Sequence, residues 1–226
     1  MSSFIAIDWF PLWLSLRVAG FATVISLAIS LSVAYLLASR QWRGKELLDA
    51  VTTLPLVLPP TVLGYYLLVV IGRQSLLGRL YEWIFGTPLV FTWQAATLAA
   101  LFHSTPLLIK FARAAFESID PSFERAARNL GASEWKVFWR VTVPLARRSI
   151  FAAAALAFAR SLGDFGITIM IAGNIPGRTQ TMSVAIYDAV ESGNGTLART
   201  LVLVMSAVAI AILYLTNRLE KRQPAA

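Results

Sequence analysis

Residues 18–39 read VAGFATVISLAISLSVAYLLAS, 22 residues without an Asp, Glu, Lys or Arg. A helix needs about 20 apolar residues to cross a ~30 Å hydrocarbon core. Three more stretches are equally uncharged: Ala50–Gly72 with 23 residues, Trp83–Ile109 with 27 and Thr200–Asn217 with 18. A fifth, from Ser149 to about Gly173, holds only Arg160 and Asp164 as charges. Five transmembrane helices are expected, each helical because lipid offers no partner to backbone polar groups. A soluble globule with buried helices is the alternative, but too little polar chain remains to coat it. The 226 residues are 57% apolar and 14% charged, with a mean hydropathy of +0.66. Soluble domains carry about a quarter charged residues. The composition excludes a soluble enzyme, an acidic disordered tail and, with no cysteine, a disulfide-stapled module. The expected fold class is all-α, a polytopic membrane protein whose residues 1–226 form a single transmembrane domain.

The basic residues orient it. Arg40, Arg43 and Lys45 follow the first span, eight Lys and Arg lie between Lys110 and Arg148, and Arg218, Lys221 and Arg222 end the chain. These 14 compare with four on the alternate side: Arg73, Arg79, Arg178 and Arg199. Arg17 and Arg160 lie within or at the edge of helices. Inner loops are richer in Lys and Arg, so the N-terminus is expected outside and the C-terminus in the cytoplasm. Trp9, Trp13, Trp83 and Trp93 then mark the outer interface and Trp42 the inner one. The net charge of +8 is chiefly this topological signal, not the mark of a nucleic-acid partner. The first 16 residues carry no Lys or Arg, so no basic leader is expected and the first helix stays in the mature protein.

Catalytic chemistry is sparse. One histidine, His103, and no cysteine cannot assemble a zinc site or a Cys/His pair. His103 reads as a packing residue hydrogen-bonded to a neighbour. No GxxxxGK[ST] loop is present; Gly44-Lys45 is followed by Glu46. If transport is ATP-driven, the ATPase is another chain.

The polar block from Glu117 to Arg148 is punctuated as helix. Asp120-Pro121 reads as an N-cap with proline at the first helical position, Phe123–Leu130 as a short helix, and Gly131 as its stop. Ser133 can cap a second helix running from Glu134 to Trp139, and Pro144 is expected to break it before the fourth span. Ala126, Ala127 and Gly131 are small enough to let another backbone approach. The hairpin either docks in a partner's groove or lies flat on anionic lipid at the inner leaflet.

Glu124-Arg125-Ala126-Ala127-Arg128-Asn129-Leu130-Gly131 and, nine residues on, Val141-Thr142-Val143-Pro144 resemble the coupling signature of ABC importer permeases. That signature is Glu-Ala-Ala, three residues, Gly, nine residues, then Ile-x-Leu-Pro. Arg125 stands where the family usually has Glu, with Glu124 beside it; Val141 and Val143 replace Ile and Leu. Leu54–Tyr65 (LPLVLPPTVLGY), Phe158–Gly166 (FARSLGDFG) and Asn174–Thr181 (NIPGRTQT) resemble segments of molybdate permeases, with Asp164 in place of the usual Glu. The similarity covers nearly the whole chain. It implies the type I importer permease fold and residues 118–145 as the cytoplasmic coupling segment. The ATPase contacts it implies are Glu124, Arg125, Ala126, Ala127, Gly131 and Pro144. It also implies a second copy of this chain, two ATP-binding subunits, an external oxyanion-binding protein, and a bacterial inner-membrane location. ATP and Mg would be bound by the partner ATPase, with no cofactor in this chain. The implied function is molybdate import by alternating access, with the sulfate and tungstate branches as alternatives. A stand-alone carrier or a scaffold is the contrasting class.

Arg160 and Asp164 are four apart and face one side of a helix. Each charge costs about 2.5–3.5 kcal/mol at mid-membrane, so neither should face lipid. They either pin the bundle as a mutual pair or line the anion path. Pro55, Pro59 and Pro60 interrupt the second helix, as a packing kink or as part of that path. Pro55, Pro59, Pro60, Arg160, Gly163 and Asp164 are the candidate gate. Five helices are too few to enclose a pore, so a homodimer around a shared axis is expected.

Overall fold

The computed structural model describes residues 8–39 and 42–222. Arg40 lies outside these, as do residues 1–7 of the segment read for a leader and the side chains of Lys221 and Arg222. The described residues form helices with no strand. In order they are α1 (Phe10–Ser39), α2 (Lys45–Val57), α3 (Pro60–Ile71), α4 (Leu76–Phe85), α5 (Trp93–Glu117), α6 (Pro121–Asn129), α7 (Glu134–Val137), α8 (Val143–Leu162), α9 (Gly166–Ile171), α10 (Met182–Glu191) and α11 (Gly195–Arg222). A π-helical turn, Phe138–Thr142, joins α7 to α8.

Among the described residues, four helical stretches are long and apolar enough to cross a membrane: Phe10–Ala38, Trp93–Glu117, Glu134–Leu162 and Gly195–Thr216. The second expected span is α2 and α3, bent by 113° between them. Pro59 is the N-cap of α3 and Pro60 its first residue, so the missing donors fall where a helix start leaves them unused.

Four expectations change. The Trp83–Ile109 run is not one helix. It divides into α4, stopped by Gly86 in the left-handed conformation (φ 70), and α5, which Thr92 caps by accepting the Ala95 N–H and which runs past Lys110 to Glu117. The fourth span is likewise divided, because the helix ends at Leu162 and restarts at Gly166. Pro144 does not break the helix that starts at Glu134. In the π turn the Val143 N–H reaches back to the Phe138 carbonyl, five residues away, and this wider turn takes the proline ring into an unbroken Glu134–Leu162 rod. Ser133 also makes no side-chain cap to α7.

α1 and α5 run side by side in the same direction. Phe21 meets Trp93 with ring centroids 5.7 Å apart, the Ser26 and Thr105 hydroxyls are 2.9 Å apart, and Tyr35 meets Phe116 at 6.2 Å. Ala95, Ala96, Ala99 and Ala100 are wholly buried, the small-residue packing that brings helices close in lipid. They join Leu14, Val18 and Ala22 of α1, Leu63 and Leu67 of α3, and Ile167 and Ile171 of α9 in one core. A second core gathers Leu31, Ala34, Ala112, Phe116, Phe138, Ala146 and Ile150 toward the α6–α7 end. Val24, Leu203 and Ile210 point outward, as a lipid-facing exterior requires.

The proline bend is held from the α9 side. A Cβ built on Gly166 would sit 2.6 Å from the Pro60 Cβ. Gly166→Ala must therefore force α3 and α9 apart, at an expected cost of about 1–3 kcal/mol. Thermal unfolding of the purified chain in detergent should show a lowered midpoint. Gly20→Ala, which meets nothing within 4 Å in the middle of α1, should leave it unchanged or raised.

Candidate functional site

Two constellations stand at opposite ends of the Glu134–Leu162 rod. The first is the α6–α7 hairpin. Asp120 Oδ1 accepts the Ser122 N–H at 2.8 Å, which starts α6, and Gly131 turns the chain with φ 81. Nothing in α6 is buried. Phe123, Arg125, Ala126 and Leu130 are exposed, with Leu130 at 89%, so the helix stands out from the bundle. Glu124 instead turns inward. Its Oε1 accepts from the Thr142 hydroxyl at 2.7 Å and its Oε2 from Arg128 at 3.0 Å. Arg128 Nε also donates to Glu134 Oε1 at 3.0 Å, and the Tyr35 hydroxyl reaches Glu134 Oε2 at 3.3 Å. The two carboxylates hold the Arg128 proton more tightly than an ordinary guanidinium does. These bonds clamp α6 to α7, to the π turn and to α1. Ala127 is half-buried, Gly131 exposed, and Pro144 exposed in the first turn of α8. The six residues of the coupling motif thus lie on one hairpin and the helix it feeds.

The second constellation lies where α8 ends. Arg160 and Asp164 do not pair directly. The helix stops at Leu162, which takes Asp164 off the face that Arg160 occupies, and His103 of α5 stands between them. Its Nδ1 is 2.7 Å from Asp164 Oδ1, and its Nε2 meets the Arg160 guanidinium. Asp164 Oδ2 accepts the Thr168 N–H at 3.1 Å and the Thr168 hydroxyl, which starts α9, and the Asp164 carbonyl accepts from the Ser183 hydroxyl at 2.7 Å. Asp164 is buried, whereas Arg160 and Gly163 are exposed. The Pro59–Pro60 bend adjoins this cluster through Gly166, while Pro55 lies a turn away inside α2. The structure therefore brings Pro60 and the Arg160–Asp164 segment together, and leaves Pro55 outside the contact.

Sequence reasoning placed His103 as a hydrogen-bonded packing residue but not in this cluster, and it missed Thr168, Ser183 and Thr142. His103 and Asp164 are 61 residues apart, a separation that no periodicity reports. The only available sign was a lone imidazole within an apolar run. No cluster of metal-ligating side chains occurs among the described residues.

Residues 11–223 match the family model described as binding-protein-dependent transport system inner membrane component. The chain is 46% identical over 189 residues to the molybdenum transport system permease protein ModB of Escherichia coli (strain K12), covering 83% of this chain and 82% of that one. It is 32% identical over 209 residues to the sulfate transport system permease protein CysW of Synechococcus elongatus, covering 92% and 73%. Among solved structures, an inward-facing MetNI methionine ABC transporter superposes with a TM-score of 0.74 at 18% identity over 98% of each chain, a likeness of fold.

His103→Phe should leave Asp164 short of a donor and Arg160 without its acceptor, costing about 2–3 kcal/mol. A lowered thermal midpoint in detergent checks this. At the hairpin, the Ser122 backbone N–H holds the Asp120 carboxyl below the usual carboxylate range. A lowered folded-state pKa stabilises above the unfolded value of about 4 and is lost as pH falls through the folded value. Hydrogen-exchange protection of α6 amides should be steady from pH 7 to 5 and fall below about pH 4, and Asp120→Ala should lower it at pH 5–7 with the difference from wild type shrinking as pH falls below about 4.

Proposed function

The chain belongs to the family of binding-protein-dependent transport system inner membrane components, multi-pass permeases, and we propose that it is the membrane-spanning subunit of an ATP-driven molybdate importer. The ATPase is a separate chain. Two copies of this subunit form the path, with two ATP-binding subunits on the cytoplasmic side and an oxyanion-binding protein outside. The N-terminus lies outside and the C-terminus in the cytoplasm, with five spans counting the bent α2–α3 pair as one. ATP and Mg belong to the partner, and this chain breaks no bond.

One observation carries the coupling mechanism: α6 projects with no buried residue, yet is clamped at its base to a continuous rod. Glu124, Arg128 and Glu134 make the hairpin a rigid knob, and the π turn passes its displacement into α8 without a hinge at Pro144. Arg125, Ala126, Ala127 and Gly131 form the face that the ATPase grips. When ATP binding closes the ATPase pair, the hairpin moves with it. At the far end of α8 the same displacement loads the His103–Asp164 contact and the Gly163 break, against which the Pro59–Pro60 bend rests. That junction is the gate, and its opening alternates access. A dianion needs donors rather than fixed countercharge along its way, and hydroxyls and backbone N–H groups of the spans supply them. The 32% relation to a sulfate permease makes sulfate the second reading, since both are tetrahedral dianions.

Reconstitution with the ATPase and binding protein tests this. ATP hydrolysis should be stimulated by molybdate and little by sulfate at equal concentration of loaded binding protein. Ala126→Trp, which bulks the gripped face without touching the clamp, should reduce that stimulation at least tenfold. Stimulation by sulfate alone would move the chain to the second branch. A chain that captures no ATPase would remove the reading.

A further inference from the structure

A cavity of about 390 Å³ opens at the N-terminal ends of α1 and α5, beside the turn after α9. This is within the size range of ligand sites. Its polar lining includes Arg17, Arg178, Gln94 and Thr87, and no carboxylate lines it. Arg17 is half-buried and held in place by aromatic faces. Its guanidinium carbon lies 3.9 Å from the Trp93 ring centroid and 5.2 Å from that of Trp13, two cation–π contacts that fix the group without neutralising it. Among the described residues neither Arg17 nor Arg178 has an ion pair, and the side chains of Gln94 and Thr87 make no hydrogen bond. The nearby Asp8 carboxylate is engaged by the Phe10 N–H at 2.9 Å.

Backbone geometry adds to the positive potential. α5 is 25 residues long and begins at Trp93, in the cavity wall. Thr92 accepts the Ala95 and Ala96 N–H groups, one on its hydroxyl and one on its carbonyl, which leaves those of Trp93 and Gln94 at the open helix end. A helix N-terminus facing two guanidinium groups attracts negative charge. On the other side Gly177, with φ 71, carries Arg178 to the rim in a turn whose next three N–H groups all converge on the Ile175 carbonyl.

We propose that this cavity is a binding site for a tetrahedral oxyanion, with Arg17 as the fixed donor and Arg178 as the exposed one. The forked guanidinium matches two oxygens of such an anion, and an amide and a hydroxyl are present for the others. Two sources share this chemistry: the phosphodiester of an anionic lipid headgroup, and a free dianion such as molybdate. The tryptophans around Arg17 are the residues that sit at headgroup depth, and the cavity's size accommodates either. The site does not depend on which anion the chain transports.

Two measurements on the full chain separate the sources. In the first, the detergent-purified chain is exchanged with equal phosphatidylglycerol and phosphatidylcholine, and native mass spectrometry counts the retained lipids. In the second, the chain in phosphatidylcholine nanodiscs is titrated with molybdate by calorimetry, without its ATPase. Saturable binding in one arm or both is expected, weakened at least tenfold by Arg17→Gln and by Arg178→Gln. Arg17→Lys, which keeps the charge but loses the stacked fork, should fall between. Arg178 is exposed, so its variant carries the test if Arg17→Gln folds poorly. Lipid selectivity lost in the variants identifies a headgroup site, and molybdate binding lost in them identifies a free-ion site. No binding in either arm, or binding equal in wild type and both variants, overturns the proposal.

Discussion

A buried carboxylate in a membrane protein must be satisfied by the protein itself, and Asp164 sets the arrangement around it for that reason. Its oxygens take His103 from α5 and the Thr168 backbone and hydroxyl from α9, while its own carbonyl takes Ser183 from α10. Four pieces of chain meet at one residue. Meeting these donors requires the helix to stop at Leu162 and restart at Gly166, which in turn puts Gly166 against Pro60 and Gly64 against Met170. The break in the fourth span and the bend in the second are thus one packing solution. Neither glycine has space for a side chain, so the two irregular segments fit only each other.

The rod from Glu134 to Leu162 connects that junction to the α6–α7 hairpin. A proline inside a helix usually kinks it, and Pro144 lies well inside the Glu134–Leu162 rod, but the π turn at Phe138–Thr142 widens the ladder by one residue and keeps the axis continuous. Thr142, in that same turn, donates to Glu124 of the projecting helix. The hairpin is consequently fastened to the rod where the rod is most irregular, and through Tyr35 to α1 as well. α6 is thereby tied, through the rod and through α1 beside it, to the helix end that carries the His103–Asp164 contact.

The helical class and the α6–α7 hairpin were legible in sequence because both rest on local rules. Charge-free runs of membrane length leave only helix, and Asp120-Pro121 with Gly131 writes a start and a stop within one turn of where they occur. Absence of charge marks only what lipid tolerates, though, not where a helix ends. Trp83–Ile109 carries no charge, yet Gly86 and Thr92 divide it; Lys110 carries one, yet α5 runs through it because the side chain reaches Asp49 of α2 at 2.9 Å. The spacing of Arg160 and Asp164 put both on one helix face, as a mutual pair or along the path, and either reading presupposes an intact helix between them.

From sequence alone come the helical class, the membrane habitat, the hairpin's punctuation and the identity of the two charges that no lipid face would accept. All follow from solvent transfer and from interactions within a few residues of the chain. The tertiary structure decided that His103 separates those charges, that Pro60 rests on Gly166, that Glu124 turns inward while Arg125 and Ala126 face out, and that Arg17 and Arg178 share one cavity. These depend on which helices lie beside one another, and that is settled by side chains fitting across distances in sequence that carry no period.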